Sequence, residues 1–425
     1  MSNHSPLSRR AAIVGAAMTS AAALMPSLSF AQESDQDASD DLRGSRKRGS
    51  TDRYGNTATA RSLVDTNEPI LSYDTAYNLQ LAIRNYEEFL AANGSWDEPA
   101  RDWFKLALGK SGRPVRDLKR RLMINGDMAV ERSDDTFDEK LDAAVRLFQA
   151  RHGLIINGTI DEPTFYALAV PADYRLNQLR LNSLRIEQWA SALSDRYVVV
   201  NIPAASIEAI EFSQVVQRHN AVVGKVDRQT PILNSKVHQI KFNPYWTVPK
   251  SIIRKDLIKY MNEDPEYLTK FRIRIFDGRG NELPPSTIDW STDEAVQYTF
   301  RQDPGAENSL GRCKIDFYNK HAVYLHDTPQ KGLFGENDRF FSSGCVRVES
   351  VETLVAWLLR DNSGWDVMAV EAMFNSGETI EVPLQVQVPI HTTYITAWAN
   401  RQGTVSFRDD IYAFDAAGAV TFDDV

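Results

Sequence analysis

Tyr324-Leu325-His326-Asp327-Thr328-Pro329, a connection through Gln330–Arg339, and Phe340-Phe341-Ser342-Ser343-Gly344-Cys345-Val346-Arg347-Val348 decide how this chain is read. Ala322–Leu325 reads as a strand ending at His326. In extended backbone, alternate side chains share a face, so Tyr324 sits on the face of His326, and Arg347 on that of Cys345. A thiolate rather than a thiol attacks a carbonyl, and a nearby histidine or positive charge favours the thiolate. Cys345 is therefore a candidate nucleophile and His326 a candidate base, then acid. Gly344 leaves room for a substrate to reach the backbone. The amides around Ser343, Gly344 and Cys345 can then hold a developing oxyanion. Arg347 can raise the local positive potential or grip a carboxylate with two hydrogen bonds. One cysteine and one histidine alone fit a buried structural cysteine equally well.

Around this stretch strands dominate. Tyr197–Ile202, Ser206–Phe212, Gln214–Val223, Lys236–Phe242, Phe271–Phe276, Lys314–Phe317, Asp366–Val370, Thr379–Val382 and Thr392–Trp398 are β-branched or alternating. Helices are expected at Pro249–Met261 and Val351–Arg360. Many short strands with few helices indicate a sandwich or barrel-like β core over 197–410. Residues 251–299 carry a helix and a Gly/Pro-rich segment, and read as an insertion capping the site. Residues 411–425 read as a C-terminal tail.

The first half of the chain is helical. Tyr77, Leu81, Ile83, Tyr86, Phe89 and Leu90 recur near the 3.6-residue period, and Trp103, Phe104, Leu106 and Leu108 follow Asn93-Gly94. Residues 68–112 thus read as a scaffold of two helices. Residues 113–171 form a separate three-helix unit, and 172–196 a helical connection. Residues 32–67 mix acids, Arg43, Arg46, Lys47 and Arg48 with Gly and Ser. They have little apolar surface to offset ordering entropy, so they read as a disordered tether. Residues 1–31 combine Arg9 and Arg10, an apolar run from Ala11 to Met25, and the small residues Ser29 and Ala31. That is the pattern of a secretory signal, too short to span a bilayer. Its Ser8-Arg9-Arg10 start resembles a twin-arginine signal, the general secretory route being the alternative. No later segment reads as transmembrane.

Of 425 residues, 43% are hydrophobic and 25% charged, as in ordinary globular domains. The net charge of −9 becomes −11 without Arg9 and Arg10, which argues against nucleic-acid binding. Only Cys313 and Cys345 are present, which excludes a disulfide scaffold and an all-cysteine zinc site. No HExxH pattern occurs among the seven histidines, and neither a metal nor another cofactor is expected. A disulfide between Cys313 and Cys345 would block the candidate nucleophile, so a free thiol is expected at Cys345.

Two family resemblances sharpen this reading. Ala144-Val145-Arg146-Leu147-Phe148-Gln149, Gly153-Leu154, Asn157-Gly158, Thr164 and Leu168 resemble the small three-helix peptidoglycan-binding domain. His326 with Ser342-Ser343-Gly344-Cys345-Val346-Arg347 resembles the active-site signature of the L,D-transpeptidases. Asn243–Pro249 and Arg301–Gly311 extend the likeness to the large multidomain Gram-negative branch. Two departures stand out: many members have His where this chain has Ser343, and Asn where it has Arg347.

The resemblance implies an α+β multidomain protein with a β-sandwich catalytic core, a capping insertion and a helical scaffold. It implies an exported, periplasmic cysteine acyltransferase of cell-wall biogenesis and cell shape. A tetrapeptide donor stem would form a thioester on Cys345 and yield 3→3 cross-links. An L,D-carboxypeptidase, or an enzyme attaching an outer-membrane protein to peptidoglycan, would use the same thioester. A wall-binding scaffold is the non-enzymatic alternative. His326 would serve as acid and base, oriented by Asp327 through its side chain or its carbonyl. Arg347, Tyr324 and Trp246 would contact substrate. Cell-wall synthases are candidate partners and carbapenem β-lactams candidate covalent inhibitors.

Overall fold

Val198, Val199 and Val200 are all fully buried, which requires cover on both faces of their strand. The computed structural model describes residues 52, 55–130, 132, 134–190 and 193–421. The expected signal over 1–31 and most of the expected tether lie outside the described residues. The triple valine sits in β1 (Arg196–Asn201). Val198 and Val200 face the main core of the sheet, while Tyr197 and Val199 face a second core made with helices from the first half.

The chain order of strands is β2 (Ser206–Glu211), β3 (Gln214–Gly224), β4 (Leu233–Phe242), β5 (Trp246–Thr247), β6 (Ile273–Phe276), β7 (Glu282–Leu283) and β8 (Thr299–Gln302). Then come β9 (Cys313–Phe317), β10 (Leu325–His326), β11 (Phe340–Ser342), β12 (Val346–Val348), β13 (Ile380–Thr393), β14 (Ala397–Ala399) and β15 (Val405–Phe407). Nine of them form one mixed sheet, ordered β11-β3-β12-β10-β9-β4-β13-β1-β2. Because β2 also pairs with β3, the sheet closes on itself. The expected β-sandwich therefore takes the form of one mixed sheet closed between β2 and β3, with β11 attached beside β3, which removes most exposed strand edges. The helix Val351–Leu358 packs Leu354, Val355 and Leu358 into its main core.

Two strand expectations are corrected. Val367–Ser376 is a helix, and the Asp366 side chain caps it by accepting from the Ala369 amide at 2.8 Å. The capping aspartate outweighs the β-branched residues that follow it. Thr379–Val382 and Thr392–Trp398 were expected as separate strands. Residues 380–393 run as one, with a register shift between Pro383 and Val388 where the prolines cannot donate to the ladder.

Around the expected insertion, β5, β8, β6 and β7 form a separate four-stranded sheet. With the helical run from Lys250 to Glu263 it encloses its own core of Val248, Leu257, Ile275 and Phe300. The subdomain thus begins at β5 and ends at β8, slightly wider than 251–299.

Among the helices, α1 (Asn56–Val64) corrects the expected tether. Asp52 accepts from the amides of Asn56 and Thr57 at 2.9 Å each, and Ala60 is buried. Then follow α2 (Tyr73–Asn93), α3 (Arg113–Ile124), α4 (Glu139–Arg151), α5 (Glu162–Ala169) and α6 (Ala172–Ala190). Asn56 donates to Asp142 of α4, and Arg146 to Thr57, at 2.9 Å each. Polar pairs thus order a segment that has few apolar residues to bury. The second scaffold helix is absent: Trp103 and Leu106 join the core of α3–α5 instead. Within that unit Gln149 is fully buried. It donates to Asn157, the Thr159 carbonyl and Thr164, and accepts from the Asn157 and Gly158 amides. These bonds tie Gln149, Asn157-Gly158 and Thr164 into one network. The expected tail is also corrected. Tyr412 and Asp415 are buried, and Asp415 pairs with Arg185 of α6 at 2.6 Å.

Candidate active site

Three neighbouring strands build the site. β9 and β10 are antiparallel and place Lys314 beside His326; β10 and β12 are parallel and place His326 beside Arg347. Leu325 and Val346 are paired and buried in the main core, so the residues flanking them point the other way. Lys314, His326 and Arg347 thus form one row across the sheet, with Tyr324 and Cys345 side by side in the next. The Val346 amide donates to the Tyr324 carbonyl at 3.0 Å, which locks this register.

Tyr324, through its hydroxyl and its backbone, favours the thiolate form of Cys345. Burial pushes the Tyr324 hydroxyl well above its ordinary value, and Trp246 of the capping subdomain pulls it the other way. Burial pushes the Cys345 thiol above its ordinary value, while Tyr324, Lys314 and Arg347 pull the other way. The resting group is a thiol with a thiolate-stabilising shell around it. Replacing Tyr324 with phenylalanine should move the midpoint of Cys345 alkylation by iodoacetamide further up in pH. An unchanged midpoint would show that the hydroxyl does nothing for the sulfur.

His326 is buried, and its Nδ1 lies 2.5 Å from the Asp327 carbonyl oxygen. A carbonyl only accepts, so Nδ1 carries the proton and Nε2 presents its lone pair. Burial, then the charge of Arg347, hold the His326 pKa down to about 3. The imidazole is therefore neutral at pH 7. Of the two ways Asp327 can orient His326, the structure uses the carbonyl. The Asp327 carboxylate instead accepts from the Arg312 amide at 2.9 Å and pairs with Lys331. Gly311 has φ +59°, and a Cβ there would stand 2.5 Å from that carboxylate. Both the backbone and the space favour glycine.

One candidate oxyanion donor is corrected. The Gly344 amide is occupied, donating to Ser342 Oγ at 3.1 Å. Ser342 in turn donates to the Cys345 carbonyl at 2.5 Å, which braces the turn. Among the described residues the amides of Ser343 and Cys345 have no acceptor. Gly344 has φ +113°, so its part is conformational.

Four partners had no site role assigned from the sequence. Arg228 donates to Ser343 Oγ at 2.9 Å and pairs with Asp256 of the capping subdomain, tying the cap to the cysteine turn. Gln330 accepts from Arg347 at 2.6 Å, and the Arg347 Nε is buried without a partner. Lys314 lies 4.2 Å from the Tyr324 ring centre. Ser342 is the fourth. Only Lys314 was within reach of alternation, because it follows Cys313 in a recognisable strand. Arg228 and Gln330 sit in turns without a pattern. Cys313 and Cys345 are both free, and Cys313 is buried, with burial pushing its thiol well up. Among the described residues no group of three His, Cys, Asp or Glu is placed to hold a metal ion, and no helix is long and apolar enough to cross a membrane.

Buried neutral histidines also set a pH dependence of stability. His391, like His326, is held down by burial, to about 4. Between about pH 6.5 and these values the unfolded chain binds protons that the folded chain refuses, so stability falls as pH falls. Melting curves should show Tm constant from about pH 8 to 7 and several degrees lower near pH 4.5, with a shallower fall in His391→Gln. A Tm that rises on acidification would contradict this.

Residues 195–382 match the family model of the L,D-transpeptidase catalytic domain, and residues 111–168 that of a peptidoglycan binding domain. A curated relative from Haemophilus influenzae, named provisionally as an L,D-transpeptidase, is 35% identical over 219 residues. The match covers 51% of this chain and 44% of the relative, less than half of its length. Solved structures that align include an L,D-transpeptidase from Xylanimonas cellulosilytica. It is 15% identical over 70% of this chain and 100% of that one, with a TM-score of 0.22. One from Stackebrandtia nassauensis is 12% identical over 71% and 98%, with a TM-score of 0.26. These superpositions are too loose to inform the site.

Proposed function

We propose that the chain forms 3→3 cross-links in peptidoglycan through a thioester on Cys345, on the premise that residues 195–382, which match the family model of the L,D-transpeptidase catalytic domain, act as such a domain. The observation that carries this reading is the register of β10 and β12, which brings a neutral His326, held by the Asp327 carbonyl, beside Arg347 and next to the Cys345 turn. The donor is a tetrapeptide stem lying between the cap and the sheet, with a carboxylate toward Arg347.

His326 Nε2 takes the Cys345 proton, and the thiolate adds to the carbonyl of the diamino acid that precedes the terminal D-Ala. The free amides of Ser343 and Cys345 are the oxyanion donors. Burial and Arg347 disfavour the imidazolium, so the proton moves on to the departing D-Ala nitrogen as the C–N bond breaks. The side-chain amine of a second stem attacks the thioester. His326 accepts its proton, the C–S bond breaks, and the thiol is restored. Asp327 positions His326 through its carbonyl, while Lys314 and Arg347 favour the thiolate.

Carbapenems acylate the same sulfur by opening their β-lactam ring. The peptidoglycan-binding domain over 111–168 supports action on the wall itself. The pattern of residues 1–31 supports export to the periplasm. Incubation with purified tetrapeptide muropeptides tests the reaction: cross-linked dimers support it, whereas tripeptides alone would make the enzyme a carboxypeptidase.

A further inference from the structure

A cleft of about 750 Å³ opens between α1, the end of α4, strands β2 and β3, and the segment Phe334–Arg339. None of the candidate catalytic residues lines it. Its charges are unevenly paired. Arg218 is matched by Glu208 at 2.8 Å. Arg61, Arg339 and Arg408 have no carboxylate within ion-pair distance among the described residues. Arg339 donates to the Ala204 and Glu336 carbonyls at 2.9 Å each, and its Nε is buried with no partner. Arg408 donates to the Arg151 and Phe407 carbonyls at 2.9 and 2.7 Å. Burial, then repulsion from Arg339, lower its pKa to about 10. Arg339 and Arg408 repel each other and hydrogen-bond only carbonyls; Glu349 and Asp338 act on the first, and Asp65 and Asp409 on the second, without forming an ion pair, which leaves both guanidiniums able to take an incoming carboxylate through two hydrogen bonds.

The geometry points to a second binding site in this cleft, for a carboxylate-bearing stem peptide of peptidoglycan that sets its carboxylates against Arg61, Arg339 and Arg408. The identity of the peptide rests on the reading that this chain acts on the wall. The uncommitted acid Glu336, exposed at the rim, suits the amine that the same peptide carries. One wall of the cleft comes from the peptidoglycan-binding domain, where the Ile155 amide donates to Asn337 at 2.7 Å. The segment that holds Asn337 begins at Gln330 and Lys331, the partners of Arg347 and Asp327. Cleft and active site therefore share one segment of chain.

The test uses the full chain with Cys345 alkylated by iodoacetamide and titrates it with purified tetrapeptide muropeptide by calorimetry. Binding should weaken at least tenfold in Arg61→Glu and in the double variant Arg339→Gln/Arg408→Gln, and be retained in Arg339→Lys/Arg408→Lys. Methyl esterification of the muropeptide carboxylates should weaken it equally. Arg61 is exposed, so its variant also guards against a folding defect in the double variant. No binding, or binding indifferent to esterification and to every substitution, overturns the site. Unalkylated wild type and Arg61→Glu are assayed in parallel for muropeptide conversion. Loss of conversion in wild type strikes the proposed reaction, whereas intact conversion with indifferent binding strikes only the cleft.

Discussion

Replacing Cys345 with alanine should lower muropeptide conversion by about 10⁴-fold or more, the scale seen when an enzyme loses its nucleophile. The same variant should gain no mass from imipenem, while the wild type gains one molecule. The substitution removes one sulfur from a half-buried position at the edge of the main core. Its stability cost should stay near 1 kcal/mol, and Tm within a few degrees of wild type. Binding to intact peptidoglycan should be unchanged, because residues 111–168 fold around their own core. A wall-binding scaffold would show no phenotype on this substitution. Residual conversion above 1% of wild type, about 10²-fold short of expectation, would mean another group attacks the donor.

The second large effect belongs to His326. His326→Gln should cost about 10²- to 10⁴-fold in acylation, the usual worth of a positioned acid and base. Because His326 is held neutral down to about pH 3, acylation in the wild type should show no acidic limb near pH 6.5. The rate should instead climb with pH through the thiol titration, which burial has moved upward. The partner residue gives a contrast. His326 is oriented by the Asp327 carbonyl, which Asp327→Asn retains. That variant should keep acylation within about tenfold, yet lose about 3 kcal/mol of stability as Lys331 and the Arg312 amide lose their buried carboxylate. If Asp327→Asn instead cost as much rate as His326→Gln, the carboxylate would be the orienting group.

The α+β class and both domains were legible in the sequence from motif and periodicity, and strand alternation assigned faces to the candidate site residues. Tyr324, His326, Cys345 and Arg347 were legible because strand alternation is local: a period of two places four side chains without knowledge of what lies beside them. Register is not local. That His326 meets Lys314 and Arg347, and Tyr324 meets Cys345, depends on β9, β10 and β12 lining up, which no single strand encodes. The same limit hid Arg228, whose partners Asp256 and Ser343 come from two distant segments. The oxyanion reading failed at Gly344 because a side chain two residues back claimed its amide. Composition misled at α1, where Asp52, Asp142 and Arg146 supply polar order that apolar content cannot reveal. At Asp366 a helix cap was legible and overlooked in favour of β-branched neighbours.

The mass of the intact chain after brief exposure to purified tetrapeptide muropeptide tests the central claim most directly. A wild-type adduct equal to the donor less D-Ala is expected, carried on Cys345, lost on addition of acceptor amine, and absent from Cys345→Ala. No adduct on wild type while dimers accumulate, or the same adduct on Cys345→Ala, would contradict it.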